Sequence, residues 1–527
     1  MSRDVTSPWA PLAVTAFRVL WFAQLGSNIG TWMQTVGAQW YLVDAAASAA
    51  VIALVQTASL APAMLFSLPA GVLADSLDRR KLLIWGSVAS AAIAAALTVV
   101  ATANALTPTL LLGFTFLLGI TSTLTSPAWQ AIQPELVPRE QIGASSALGG
   151  VTVNGARAVG PALAGVLLST FGAPVVFGIN ALSFVAAALA LAWWRRPPQE
   201  GLADREQFGA ALRAGVRYVA SAHLVRRILL RSALFAVPAS ALWALLPLSA
   251  QRLGLDSSGY GFLLGALGVG AVIGIFALPL ARKTMSDNTI IAGSAVLFAV
   301  GSVAAAYLPF IPTLVLLVLA GLAWIGTLTV LNTALQLTLP QWVRSRGAAT
   351  YILVFMGSMA LGSILWGLVA ELIGTTGALA IAATLLVLVG ISIRLLPLHP
   401  GTGTIDRTIT LTWATPTLVF EPEPTDGPVL VTISYPVLPQ RVDQFQTAMR
   451  AVGSSRRRTG GYRWRLYRSG EARDVWLETF MVPSWGEFRR QHTERLTGRD
   501  REIQATVRGY CSADSDEQHY FPQPSTG

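Results

Sequence analysis

The chain has 527 residues, 53% of them apolar and only 12% charged, with 37 Lys and Arg against 27 Asp and Glu for a net charge of +10. Soluble domains carry about 25% charged residues, so this composition excludes an ordinary soluble fold and points to a polytopic membrane protein. The single cysteine, Cys511, excludes an intrachain disulfide and a cysteine-based metal cage, and no metal site is expected.

A spanning helix needs about 20 mostly apolar residues. Uncharged runs of that order recur at 19–43, 45–74, 82–134, 158–194, 232–251, 257–281, 288–343, 347–370 and 372–393. Turn signals at Asn104–Pro108 and at Leu308-Pro309-Phe310-Ile311-Pro312 divide the two longest. Gly172-Ala173-Pro174 ends the stretch 141–170, whose one charge is Arg157. The pattern reads as twelve spans. Ala47-Ser48-Ala49 resembles a signal-peptide cleavage site, but the stretch before it is too long and too polar, so cleavage is not expected. Basic residues collect in alternate loops, at 79–81, 139, 195–227, 282–283 and 344–346, with Arg252 a mild exception on the other side. This asymmetry places both termini in the cytoplasm and the chain in the cell membrane. The net charge follows from that topology and from the tail, so no nucleic-acid partner is expected.

In the first span Gln24, Asn28, Thr31, Thr35 and Gln39 repeat at helical spacing and form a polar stripe. Lipid penalises such a face, so it points inward, as wetted lining or as interhelical hydrogen bonds worth about 1 kcal/mol each. Asp44 ends this span. Between the second and third spans lies Gly71-Val72-Leu73-Ala74-Asp75-Ser76-Leu77-Asp78-Arg79-Arg80-Lys81. Gly71 permits close helix approach, and Asp75 can accept hydrogen bonds or face a helix N-terminus. In the fifth span Asn154, Arg157, Pro161 and Gly165 share one face, with Arg157 about 24 Å from the helix start near Gln141. An intramembrane arginine faces a bundle interior or a watery cavity; the alternative is a structural arginine satisfied by carbonyls and amides. Further polar candidates are Gln56, Gln130, Asn332 and Gln336, with Trp243, Trp324 and Phe355 as aromatic contacts. Asp44 and Glu371, near the outer ends of the first and eleventh spans, are the candidates for proton coupling, or else interface residues.

Trp129-Gln130-Ala131-Ile132-Gln133-Pro134-Glu135-Leu136 is similar to Leu331-Asn332-Thr333-Ala334-Leu335-Gln336-Leu337-Thr338-Leu339, at an offset of just over two hundred residues. A duplication explains this, with six-helix bundles at 1–195 and 229–397 joined by a loop at 196–228. A Pro-, Thr- and Gly-rich linker follows at 398–427, then a soluble domain at 428–512 and a tail at 513–527. The domain reads as strands Val429–Tyr435, Tyr462–Arg468 and Asp474–Val482, helices Pro439–Ser455 and Ser484–Arg508, and a last strand near Tyr510. That is the split β-α-β-β-α-β, ferredoxin-like order.

The Gly71–Lys81 loop, the span count and the duplicated halves resemble the major facilitator superfamily, with Ser76 a departure where that family often has arginine. The resemblance implies that Gly71, Asp75, Arg79 and Arg80 form a gate that closes the cytoplasmic side. Gly155, Gly160, Pro161 and Gly165 resemble the fifth-helix motif of the superfamily's exporters, although ordinary small-residue packing gives the same pattern. The C-terminal domain is similar to antibiotic-biosynthesis-monooxygenase-like domains, which pair into an α/β barrel. The split order and Pro483-Ser484-Trp485-Gly486-Glu487-Phe488 leading to His492 carry that likeness. His492 invites a haem or quinone, but a solvated histidine is the plainer reading and no cofactor is expected. Arg456, Arg457, Arg458, Arg463 and Arg465 read as a basic patch, either solvated or against anionic headgroups.

Such tails accompany transporters of the enterobactin-exporter and transmembrane-secretion-effector type. The resemblance implies a drug:proton antiporter-like exporter of small amphipathic molecules, a drug-like compound or a siderophore, that works by alternating access. Gln24, Asn28, Thr31, Thr35, Gln39, Arg157, Asn332 and Gln336 would line the route, and the C-terminal domain would self-associate. Two alternatives remain: a membrane-anchored enzyme whose tail does the chemistry, and a lipid flippase or importer on the same fold.

Overall fold

The computed structural model describes residues 7–195, 222–340, 343–398 and 418–522. The apolar region forms α1 (Thr15–Asp44), α2 (Ala49–Ser76), α3 (Arg79–Thr102), α4 (Pro108–Ile132), α5 (Ile142–Phe171) and α6 (Ala173–Trp193). After the central segment come α7 (His223–Arg252), α8 (Ser257–Thr284), α9 (Asp287–Tyr307), α10 (Phe310–Thr338) and α11 (Arg344–Ile391). Helix starts carry local signals: Asp78 caps α3, Thr107 followed by Pro108 opens α4, and Ser286 caps α9. α7 begins at His223, inside the segment read as loop, while the rest of that loop at 196–221 lies outside the described residues.

Ten of the described helical stretches are long and apolar enough to cross a membrane. α1 is not one of them, although it has 30 residues, because its polar stripe lowers its hydropathy. α11 runs for 48 residues but breaks at Gly374, whose φ of 80° and ψ of 158° only glycine adopts freely. Gly172, between α5 and α6, takes φ 77° and ψ 175°. The two glycines are separated by the offset seen in the sequence repeat, so each half turns at the same place in the same way. Large apolar side chains such as Leu182, Leu189, Phe276 and Leu388 lie exposed on the helix exteriors, which suits a surface solvated by lipid.

The C-terminal region contains β1 (Val429–Pro436), α12 (Val442–Thr459), β2 (Tyr462–Arg468), β3 (Val475–Val482), α13 (Trp485–Arg490), α14 (Gly498–Arg508) and β4 (Asp516–Tyr520). Its sheet has the order β2-β3-β1-β4, and all three pairings are antiparallel. Alternate residues of β1, from Val429 to Tyr435, are buried with Phe445, Met449, Phe480 and Phe488 in one apolar core. Two expectations need correction. The last strand lies at Asp516–Tyr520, within the segment read as a tail, and near Tyr510 only Cys511 makes an isolated bridge, to Val437. The helix expected over Ser484–Arg508 is interrupted by a π turn at Gln491–Arg495, after which Thr497 and Asp500 form a capping box that starts α14.

Candidate functional site

A cavity of about 760 Å³ opens among the first six helices. Gln24, Asn28, Thr31 and Thr35 of the α1 stripe line it, joined by Ser and Thr side chains of α3 and α4, Asn154 of α5 and Asn180 of α6. None of its described lining residues carries a charge; hydroxyl and amide side chains, with the Trp129 indole, supply the polarity. Local hydrogen bonds orient the groups. Gln24 Nε2 donates to Asn28 Oδ1 at 2.9 Å, and Asn180 Nδ2 donates to Gln34 Oε1 at 2.9 Å. Gln130 also lines the cavity, whereas Gln39, Asn332 and Gln336 are not among its described lining. Gln34, Ser90 and Asn180 went unrecognised in the sequence because isolated hydroxyls and amides in apolar runs carry no periodic signal.

Arg157 lies beside the cavity and is absent from its described lining. Its Nη1 donates at 3.4 Å to Oδ1 of Asn154, a residue that does line the cavity, so Asn154 joins the two. The guanidinium also sits over the Trp32 ring, 5.5 Å from its centroid. From there rings continue across the two halves. Trp32 to Trp243 is 6.0 Å between centroids, Trp243 to Trp324 is 5.2 Å, and Trp324 to Phe355 is 5.7 Å. Trp32 and Trp324 come from the middle of α1 and α10, as Arg157 comes from the middle of α5; Trp243 lies in the second half of α7 and Phe355 in the part of α11 before Gly374. Trp243, Trp324 and Phe355 are thus brought together as aromatic contacts, while Trp32, which the sequence did not single out, links them to the cation. Arg157 Nε, Trp243 Nε1 and Trp324 Nε1 are buried without a hydrogen-bond partner.

The two halves meet through small residues. On α5, Gly165 packs against the backbone of Ser257, Ser258 and Gly261 of α8, and a Cβ at Gly268 would overlap Arg157 and Ala158. Pro161, inside α5, cannot donate the amide hydrogen bond that the Arg157 carbonyl would otherwise receive. Gly160 abuts Trp32, whereas a Cβ at Gly155 would meet nothing of the described residues within 4 Å. The other half mirrors this crossing: on α11, Gly367 packs against Ala50 and Ala53 of α2, and Gly357 lies against Met64. Thr57 Oγ1 donates to the Ala360 carbonyl at 2.9 Å, and the Ala50 N–H donates to Glu371 Oε1 at 3.2 Å. Gln39 belongs to the same closure. It accepts from Tyr260 at 2.5 Å and donates to the Trp243 carbonyl at 3.4 Å. All these contacts lie from mid-depth toward the end that carries Asp44 and Glu371.

The opposite end carries the loop motif. Arg79 pairs with Glu135 at 2.8 Å, and Arg80 donates to the carbonyls of Leu191 at 3.0 Å and Ala192 at 2.6 Å, so both arginines fasten helices within one half. A Cβ at Gly71 would meet no atom of the described residues within 4 Å. The side chain of Asp75 lies outside those described. Asp44 is exposed at the end of α1. Arg231, missed beside the basic segment, is buried and clamps α7 to the end of α11 through Val389, Ser392 and Leu396.

In the C-terminal region the basic patch is only partly a surface. Arg456 is buried and pairs with Glu478 at 3.2 Å, and Arg458 pairs with Asp500, while Arg457, Arg463 and Arg465 are exposed. Glu478 also accepts from Tyr435 at 2.9 Å and from Trp464 at 2.8 Å. Burial and then the Glu478 charge push the Tyr435 hydroxyl well above its ordinary range. His492 is buried rather than solvated, with Nδ1 donating to the Phe488 carbonyl at 3.0 Å. Burial, and then the Arg456 charge, lower its pKa to about 4. No cluster of three metal-ligating side chains occurs among the described residues.

Comparison with known proteins gives this geometry a context. The chain matches the transmembrane secretion effector family over residues 6–520. It is 24% identical to a staphyloferrin A transporter of Staphylococcus aureus over 66% of this chain and 87% of that one. Against the multidrug efflux pump Tap of Mycolicibacterium fortuitum it is 24% identical over 71% and 94%. A third relative, the enterobactin exporter EntS of Shigella boydii, is 33% identical over 39% of this chain and 49% of its own. In fold it is similar to a variant of the nucleoside transporter NupG, with a TM-score of 0.61 and 14% identity over 73% of this chain and 99% of that one. A bacterial homologue of the lysosomal transporter Spinster, in an inward-facing and occupied conformation, gives 0.56 and 16% over 74% and 97%. The chain therefore belongs to the transmembrane secretion effector family of the major facilitator superfamily and is a multi-pass membrane transporter rather than an enzyme.

Proposed function

We propose that the protein exports small amphipathic molecules from the cytoplasm by alternating access between two six-helix bundles, driven by protons. The observation that carries this reading is the cavity joined through Asn154 to the mid-depth Arg157–Trp32 site, with the helix pairs meeting from mid-depth toward one end only. A molecule with polar and aromatic parts finds hydroxyls and amides in the one and rings in the other. Twelve passes follow if α1 spans despite its stripe and α11 counts as two, before and after Gly374. With both termini cytoplasmic, the cavity end faces the cytoplasm. The names of the relatives, which include siderophore transport and drug efflux, support a drug-like or siderophore cargo.

Glu371 is the stronger coupling candidate. Its carboxylate on one half accepts from the first turn of α2 on the other, where the helix dipole favours negative charge. Protonation weakens that bond and favours opening at this end. Asp44 is exposed at the same end and is the second candidate. The sheet order of the C-terminal region supports a ferredoxin-like domain, whose open sheet face suits self-association. Everted vesicles test the whole reading. A panel of drug-like compounds and siderophores should include one that accumulates under a proton gradient and is lost with a protonophore; accumulation of none would overturn it.

A further inference from the structure

Three buried donors at the mid-depth site share one property. Arg157 Nε, Trp243 Nε1 and Trp324 Nε1 can only give a hydrogen bond, and none has an acceptor. Buried polar groups are rarely left this way, and a Trp N–H in particular usually finds a partner. The Arg157 charge is likewise unanswered. Among the described residues its one hydrogen-bond partner is the neutral Asn154, and no carboxylate pairs with it. Around these donors stand the rings of Trp32, Trp243, Trp324 and Phe355. The Tyr351 hydroxyl, beside Phe355, is buried without a partner as well and can accept, yet none of the three donors reaches it; an acceptor, preferably anionic, on a flat apolar body would satisfy them.

We propose that this site selects aromatic carboxylates and discriminates against organic cations. The inference rests on the exporter reading and adds the chemical class of its cargo. Aromatic clusters also attract cations through their ring faces. Here the Arg157 guanidinium already covers the Trp32 face, and a second cation beside it meets a like charge in a low-dielectric setting. A bound carboxylate instead accepts from Arg157 and an indole while its ring stacks among the tryptophans. Water alone would satisfy the donors without using the rings.

The test is binding to the purified full-length chain in lipid nanodiscs, by calorimetry, with three probes. These are 1-naphthoate, the similarly shaped cation 1-naphthylmethylammonium, and cyclohexanecarboxylate, an acid without an aromatic ring. Naphthoate should bind at least ten-fold more tightly than either other probe. Arg157→Gln should erase the difference between the two naphthalenes. Trp324→Phe, which keeps a ring but loses the N–H, should weaken naphthoate about three- to ten-fold and leave the ammonium unchanged. Equal or tighter binding of the ammonium, or no binding of naphthoate because only water occupies the donors, overturns the proposal. If Arg157→Gln does not fold, the ranking of the three probes on the unaltered chain decides alone. Vesicle transport of other compounds alongside failed naphthoate binding would sink this inference and leave the exporter reading standing. Transport of no compound would remove the exporter reading itself.

Discussion

Gly165 of α5 and Gly261 of α8 pack backbone to backbone, with no side chain between them. A Cβ at Gly261 would fall on the Pro161 carbonyl and on Gly165, both backbone, so neither can swing aside. Gly261→Val should therefore cost about 1–3 kcal/mol through overpacking and reduce transport. Gly113→Ala, at a position where a Cβ meets nothing within 4 Å, should be neutral or slightly stabilising. Thermal midpoints of the two purified variants decide this. Equal midpoints would show that the seam is looser than its geometry.

Glu371→Gln removes the charge that faces the start of α2 but keeps a side chain of the same size. The end bearing Asp44 and Glu371 should then open about two- to five-fold more often, the worth of one charge at an exposed helix terminus. An Ala53→Cys reporter against Gly367, in a chain whose Cys511 is replaced by Ser, reads this as faster labelling by an impermeant maleimide. Unchanged labelling would remove Glu371 from the closure.

Arg157→Ala should lower efflux in vesicles at least ten-fold while the protein still reaches the membrane, and Arg157→Lys should restore part of it. The lysine keeps the charge but loses the planar stack on Trp32. Normal transport by Arg157→Ala would assign the arginine to holding α5 in place.

The C-terminal region should lose stability in mild acid. His492 has its pKa lowered to about 4 by burial and then by Arg456, with His519 adding to the shift and Glu517 opposing it. The unfolded chain binds a proton near pH 6.5 and the folded chain does not, so stability is full above that and falls as the pH drops toward 4. The loss is on the order of 3 kcal/mol. Hydrogen exchange of residues 485–495 in the full chain should speed up over that window, and His492→Leu should flatten the response. A flat profile in the unaltered chain would contradict the burial of His492.

Long uncharged runs made most of the spans legible, because a bilayer demands a length and composition that few other environments do. Gln24, Asn28, Thr31 and Thr35 were readable for a related reason: four polar groups at helical spacing cannot all face lipid. Gln39 obeyed the same period yet serves a different end, since Tyr260, over two hundred residues away, captures its side chain. Trp32 falls between the polar positions of α1 and carries no mark of its own, and only the fold sets it between Arg157 and Trp243. Arg456 and His492 looked solvated because charge in a sequence says nothing of the partner across the core, here Glu478 for the one and the Phe488 carbonyl for the other.

The all-neutral lining of the cavity bears on how such a protein changes its cargo over time. Replacing one hydroxyl or amide by another moves a hydrogen bond without stranding a charge, so each step is cheap and reversible. On the proposed route Arg157 lacks that freedom, because a molecule passing mid-depth would meet the same cation whatever its shape. If the proposed preference holds, a lineage can widen its range of cargo shapes quickly while the preferred sign of charge stays fixed.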